Sequence, residues 1–189
     1  MRKLLYVPII HTEADMGSLK ESIRARYPSQ QDWESYQVVA SQFWTEASQR
    51  IVSAELNYRQ VRVYQDGLPI CGRELDIVRD LASRGSKNHQ LVWSLVEKGA
   101  RLEGTEDPAL LLEEYNHIKA IVQAKTEQEL KTTREEYQQA SQTLLQKRDD
   151  FIASHIDSTL KDSETGILFI GAIHEAEKKL PDDIQVRHL

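Results

Sequence analysis

Two histidines follow apolar runs that resemble each other closely, one near each end of the chain. Residues 4–11 read LLYVPIIH and residues 167–174 read ILFIGAIH, so His11 and His174 occupy the same position after matching residues. Runs of this kind are typical of strands buried on both faces. Burial explains the apolar match but not the shared histidine. Two imidazoles beside carboxylates can bind a divalent metal or act as a general acid and base.

Carboxylates stand at the ends of two further predicted strands. Asp66 follows the alternating residues 60–65, and Glu106 comes shortly after residues 100–104. Ligands of parallel sheets bind outside the carboxyl ends of the strands, where the chain leaves toward the helices. The residues expected to meet at that edge are therefore His11, Asp66, Glu106 and His174.

Each of these residues also has a structural interpretation. A histidine just past a strand can simply bond a loop carbonyl, and Asp66 precedes Gly67 in a pair that is typical of turns. Glu106 lies at a predicted helix start, where acidic side chains interact favourably with the helix dipole. Arg148, on a long predicted helix, either anchors a carboxylate at the sheet edge or is a solvated charge.

Helical patterns separate the predicted strands. The strands cover residues 3–10, 60–65, 100–104, 166–172 and 184–187. The helices cover residues 32–56, with Asp32 as N-cap, then 73–82, 87–98, a segment that starts at 107, and 126–160. This alternation predicts an α/β fold of three layers, with a largely parallel sheet, long helical crossovers and more helix than strand.

The long helix has an unusual composition. Residues 125–147 are polar enough to project from the core, since they lack the apolar face of a packed crossover. Four apolar residues repeat at intervals of seven: Leu130, Tyr137, Leu144 and Phe151. This spacing is typical of a coiled-coil seam, and it predicts a homodimer.

The overall composition predicts one acidic domain over residues 1–189. Lys and Arg number 24 against 30 Asp and Glu, a formal charge of −6, which argues against electrostatic binding to nucleic acid or to an anionic membrane. No apolar run approaches the roughly 20 residues of a membrane helix. Cys71 is the only cysteine, so no intramolecular disulfide can form, and a cytoplasmic location is expected.

The histidine motifs PIIH (8–11) and GAIH (171–174) resemble the paired Gly-x-x-His motifs of the TraB/TIKI proteins, which are grouped with erythromycin esterase-like and ChaN-like proteins. Residues 99–108 (GARLEGTEDP) are similar to the acidic strand end between those motifs. Residues 147–160 (KRDDFIASHIDSTL) resemble the Glu-Arg-led helix before the second motif. The resemblance implies an α/β fold with a metal-dependent or acid/base hydrolytic site made of His11, Glu106 and His174.

The leading functional hypothesis is a hydrolase-like protein that acts on a small molecule or a peptide. His11, Glu106 and His174 would bind a divalent metal or activate water, and Asp66 and Arg148 would contribute to the same site. Two alternatives stay open. The chain could be a regulatory or scaffold protein that works through its long polar helix, or a module that binds a small ligand without turnover.

Overall fold

Five parallel strands form one sheet in the computed structural model, which describes residues 1–15, 24–25 and 27–189. The strands are β1 (Arg2–Ile9), β2 (Val61–Pro69), β3 (Arg101–Glu106), β4 (Thr165–Gly171) and β5 (Ile184–His188), in the spatial order β3-β2-β4-β1-β5. The helices between them are α1 (Gln30–Ser53), α2 (Glu74–Ser83), α3 (Lys87–Glu97), α4 (Pro108–Gln123) and α5 (Glu127–Thr159). The predicted parallel, helix-rich α/β fold is confirmed.

The sheet is buried on both faces, because strand side chains alternate between two hydrophobic cores. Leu5 and Val7 of β1 belong to a core that also contains residues of α1, α2 and α3. Leu4 and Tyr6 belong to a second core, which contains Ile156 and other residues of α5. Helices therefore cover both faces, and the predicted three-layer architecture is confirmed.

Several predicted boundaries differ from the structure. α1 begins at Gln30 and Asp32 is not its N-cap, because the hydroxyl of Ser29 caps the helix by accepting from the backbone N–H of Asp32 at 3.1 Å. β2 does not stop before Asp66 but continues to Pro69 through a register irregularity. β3 extends to Glu106, because the resumed pairing lets Ile70 N–H donate to the Glu106 carbonyl at 3.0 Å.

Adjacent strands leave the sheet toward opposite faces. After β2 the chain enters α2, whose Val78 packs in the first core. After β4 the chain enters the short 3₁₀ helix Ala176–Lys179, whose Ala176 packs in the second core. Neighbouring strands that diverge in this way leave a crevice at their carboxyl ends, which is the usual ligand position in open parallel sheets.

α4 and α5 form a helical hairpin, and residues 125–147 lie mostly within its second arm. No residue of α4 is buried, and the buried residues of α5 begin at Leu144. Tyr137, one of the four stripe residues that predict a homodimer, contacts α4: its hydroxyl donates to Glu114 at 3.3 Å and its ring lies 5.7 Å from that of His117. The homodimer itself stays a prediction. In the described part of the chain, no helix combines the length and apolarity that a membrane crossing requires.

Candidate functional site

Three side chains from three strand ends converge at the carboxyl edge of the sheet. Asp66 belongs to β2, Glu106 is the last residue of β3, and His174 follows β4 by three residues. Each offers one oxygen or nitrogen atom, and these atoms all lie within 4.8 Å of one another. The structure thus brings together three of the four strand-end residues that the sequence places at this edge.

The backbone around Asp66 explains how its carboxylate reaches the edge. The pairing of β2 with β3 shifts between Gln65 and Pro69, and Gly67 adopts a left-handed conformation (φ 73°) that favours glycine. The backbone N–H of Gly171 then donates to Asp66 Oδ2 at 2.9 Å. A Cβ atom at Gly171 would lie only 3.1 Å from that oxygen, so a larger residue there would push the carboxylate back by a few tenths of an ångström.

Arg148 of α5 joins the carboxylates, and its side chain is only 6% exposed. Its Nε and Nη2 atoms donate to Glu106 at 3.1 and 2.6 Å, and Nη2 also donates to Asp66 Oδ1 at 3.1 Å. Nη1 donates to Glu114 of α4 at 2.5 Å. All three nitrogens of the guanidinium are therefore committed to carboxylates, so Arg148 holds the site together rather than facing a substrate.

Glu106 is fully buried, and its ionisation is perturbed accordingly. Burial raises the pKa of Glu106 from 4.5 to about 7; the Arg148 guanidinium opposes this rise and the Asp66 carboxylate adds to it. Two neighbouring carboxyl groups that cannot easily both ionise are a recurring arrangement for acid/base chemistry. Near neutral pH Glu106 can therefore either give or take a proton.

His174 is held by a tight turn and by a second carboxylate. Its backbone N–H donates to the Gly171 carbonyl at 3.1 Å, which folds the chain back over the end of β4. Its Nδ1 lies 2.6 Å from Asp149 Oδ1, and Asp149 Oδ2 accepts from the backbone N–H of Glu175 at 2.9 Å. Its Nε2 lies 3.6 Å from Asp66 Oδ2. The imidazole thus lies between two carboxylates.

His11, the fourth strand-end residue, lies outside the group that Asp66, Glu106 and His174 form in the described part of the chain. It is exposed, and its carbonyl accepts from the Tyr36 hydroxyl of α1 at 2.8 Å. The helix that follows β1 along the chain, α1, packs in the first core, whereas the segment that follows β4 packs in the second core on the opposite face of the sheet. Two strands with the same terminal histidine can therefore send that histidine to different places.

The surroundings of His11 contain a separate polar cluster. Asp15 accepts from the backbone N–H and the hydroxyl of Thr12, both at 2.7 Å, and its other carboxylate oxygen lies 3.9 Å from Nδ1 of His89. Burial lowers the pKa of His89; Asp15 opposes this shift and His11 adds to it. This cluster lies on the face covered by α3, the helix that carries His89.

Asp149 and Glu114 belong to the site although the sequence interpretation did not select them. Asp149 is buried on the same stripe of α5 as Ile152 and Ile156, which follow it by three and seven residues. A charged residue that continues an apolar helical stripe must be buried, and buried charges need partners. That spacing was the available signal for Asp149. Glu114 lies on a helix without buried residues and carried no such signal.

Comparisons with protein-family models, with curated proteins and with solved structures give no match for this chain. The resemblance to the TraB/TIKI proteins therefore stays a prediction from the two histidine motifs.

The donor set is suited to a divalent metal. Carboxylate oxygens and an imidazole nitrogen are ordinary ligands of first-row metals. Each carboxylate oxygen can accept more than one bond, so the bonds to Arg148 do not exhaust Asp66 or Glu106. Three carboxyl groups, those of Asp66, Glu106 and Glu114, share the single guanidinium of Arg148, and a fourth, that of Asp149, binds His174. This excess of acidic groups favours a cation.

Proposed function

We propose that the chain is a hydrolase-like protein whose reaction takes place at Asp66, Glu106 and His174. These residues would hold a divalent metal, or would activate a water molecule directly by acid/base chemistry. The substrate would be a small molecule or a peptide, and the protein would work in the cytoplasm. His11, which the motif resemblance includes, is replaced in this proposal by Asp66.

One observation carries the proposal: Asp66, Glu106 and His174 converge within 4.8 Å at the edge where β2 and β4 diverge. The position matters because the crevice at such a divergence is where parallel sheets bind ligands. The residue types matter because two carboxyl groups and one imidazole can transfer protons or bind a metal.

The residues have distinct parts in this proposal. Glu106, with its pKa raised to about 7, exchanges a proton near neutral pH. Nε2 of His174 faces Asp66 and takes a proton from water or binds a metal. A bound divalent metal would lower the pKa of a coordinated water and would polarise the scissile group. Arg148 keeps the two carboxylates of Asp66 and Glu106 in register.

Metal titration of protein purified without a histidine tag tests the proposal. We expect one equivalent of Zn²⁺ or Mn²⁺ to bind, and Asp66→Asn and His174→Gln to abolish that binding while circular dichroism stays unchanged. His11→Gln is the matched control, because it removes an imidazole at the same edge of the sheet and should leave binding intact.

A panel of chromogenic esters and amides tests the acid/base version of the proposal. Hydrolysis that is lost in Asp66→Asn and kept in His11→Gln would support this version even if no metal binds. Wild-type protein that neither binds metal nor hydrolyses any member of the panel would contradict the proposed function.

A second candidate function is a non-catalytic scaffold that works through the α4–α5 hairpin. The observation that favours it is an apolar stripe on α4, where Leu112, Tyr115 and Val122 are 58%, 58% and 56% exposed. Their spacing of three and seven residues places them on one face of the helix. Pairing of this face with a second copy of the chain would bury the stripe and form a homodimer.

A further inference from the structure

We infer that Asp149 is a positioning residue for His174: it holds the proton on Nδ1, so that the lone pair is on Nε2, the nitrogen that faces Asp66. The assignment of the ring proton depends on geometry alone. The use of Nε2 in a reaction or as a metal ligand rests on the proposed function.

The contacts of Asp149 leave its carboxylate only one way to bind the ring. Its side chain is 4% exposed, and its Oδ2 accepts from the backbone N–H of Glu175 at 2.9 Å. Its Oδ1 lies 2.6 Å from Nδ1 of His174, a distance typical of a charge-assisted hydrogen bond. An ionised carboxylate only accepts hydrogen bonds, so Nδ1 must carry the proton.

The consequence concerns the opposite nitrogen. In a neutral imidazole with its proton on Nδ1, the lone pair is on Nε2. That lone pair lies 3.6 Å from Asp66 Oδ2, which is longer than a hydrogen bond and joins two acceptors. A metal ion, a water molecule or a proton in the gap between them could bind to both atoms.

The position of Asp149 in the sequence couples this role to that of Arg148. The two residues are consecutive on α5, so one turn of the helix holds both the carboxylate pair and the imidazole. Carboxylates that bond to a ligating histidine and fix its tautomer in this way contribute about 10- to 100-fold to metal affinity or activity. A purely structural Asp149 would bind the Glu175 amide and have no influence on the ring proton.

Long-range ¹H–¹⁵N correlation spectra of the six histidines at mildly alkaline pH test the inference. His174 is assigned with His174→Gln. We expect the wild-type ring to be protonated at Nδ1 and unprotonated at Nε2. In Asp149→Asn the new amide oxygen should accept from Glu175 and its NH₂ group should donate to Nδ1, so the ring proton should move to Nε2. Metal affinity or activity should fall about 10- to 100-fold.

Asp150→Asn is the matched control, since Asp150 is the next residue on the helix and pairs instead with Lys179 at 2.5 Å. It should leave the His174 signals unchanged. A wild-type His174 protonated at Nε2 would overturn the inference without any variant, and so would an unchanged tautomer in folded Asp149→Asn. The expected tautomers in a protein that neither binds metal nor hydrolyses any ester would overturn the proposed function and leave the role of Asp149 standing.

Discussion

Glu106→Gln removes a buried carboxyl group whose ionisation should lower the free energy of unfolding as the pH rises. Glu106 is fully buried, and burial raises its pKa from 4.5 to about 7 although Arg148 opposes the shift. The folded state therefore binds this proton more tightly than the unfolded state does. The stability that results is fully present below pH 4.5 and is lost as the pH rises through about 7.

The size of the effect follows from the difference between the two pKa values. Each pKa unit corresponds to about 1.4 kcal/mol, so a change from 4.5 to about 7 corresponds to about 3 kcal/mol of unfolding free energy. Glutamine has nearly the same shape and does not titrate. Relative to the wild type, Glu106→Gln should gain about 3 kcal/mol of stability between acidic and mildly alkaline pH.

Urea unfolding monitored by tryptophan fluorescence, repeated between about pH 4 and pH 8, measures this difference. Comparing the variant with the wild type cancels the titration of the groups that do not interact with Glu106. Glu103→Gln is a useful control, because Glu103 is on the same strand but pairs with Arg62 at the other end of the sheet. Parallel pH profiles for wild type and Glu106→Gln would refute the reasoning, and so would a variant that loses stability relative to the wild type as the pH rises.

Three further predictions concern the site and the surface. Arg148→Met should lower the unfolding free energy by about 3–5 kcal/mol, measured with urea, because it leaves buried carboxylates without their cation; unchanged stability would contradict the role assigned to Arg148. Light scattering at micromolar concentration should give twice the chain mass of 21.8 kDa, and the mass of a single chain would contradict the predicted homodimer. The melting temperature should be the same with and without reductant, because Cys71 is exposed and is the only cysteine; a fall of several degrees on reduction would mean that an intermolecular bridge matters.

The strands of this fold are predictable because their sequences reflect burial on two faces. β4 reads TGILFIG, and its residues from Gly166 to Ile170 are all buried. The end of β2 was harder to predict, because Asp66 and Gly67 have turn-forming residue types but continue a strand with an irregular register. A local pattern cannot show that β3 supplies a partner for residues beyond the irregularity.

The site was partly predictable for a similar reason. Parallel strands bring their carboxyl ends to one edge. Asp66, Glu106 and His174 could therefore be placed together from the order of strands and helices along the chain. The place of His11 depends on which face the chain turns toward after β1, and two similar strand sequences do not encode that direction. Asp149 was recognisable only as a charge on an apolar helical stripe.

Arg62 and Arg148 are both buried beside carboxylates, but they lie at opposite ends of β2 and their surroundings differ. Arg62, near the start of β2, donates through Nε and both Nη atoms to Glu103 and Glu164, and no histidine bonds to these three side chains. At the other end of the same strand, the side chains that Arg148 holds adjoin an imidazole whose Nε2 lies 3.6 Å from Asp66 without a hydrogen bond.

Both clusters lie on β2 and its neighbours, so burial alone does not distinguish them. In the cluster near the start of β2, Arg62 pairs with Glu103 and Glu164, and Arg101 also pairs with Glu103. The cluster at the carboxyl end, where ligands of parallel sheets bind, leaves facing acceptors with a gap between them. Asp66 Oδ2 accepts one hydrogen bond, from the Gly171 N–H, and a carboxylate oxygen can accept more than one. Acceptors that can take a further bond are expected in a group that binds an ion or moves a proton. The proposed reaction is assigned to this end of the sheet for that reason.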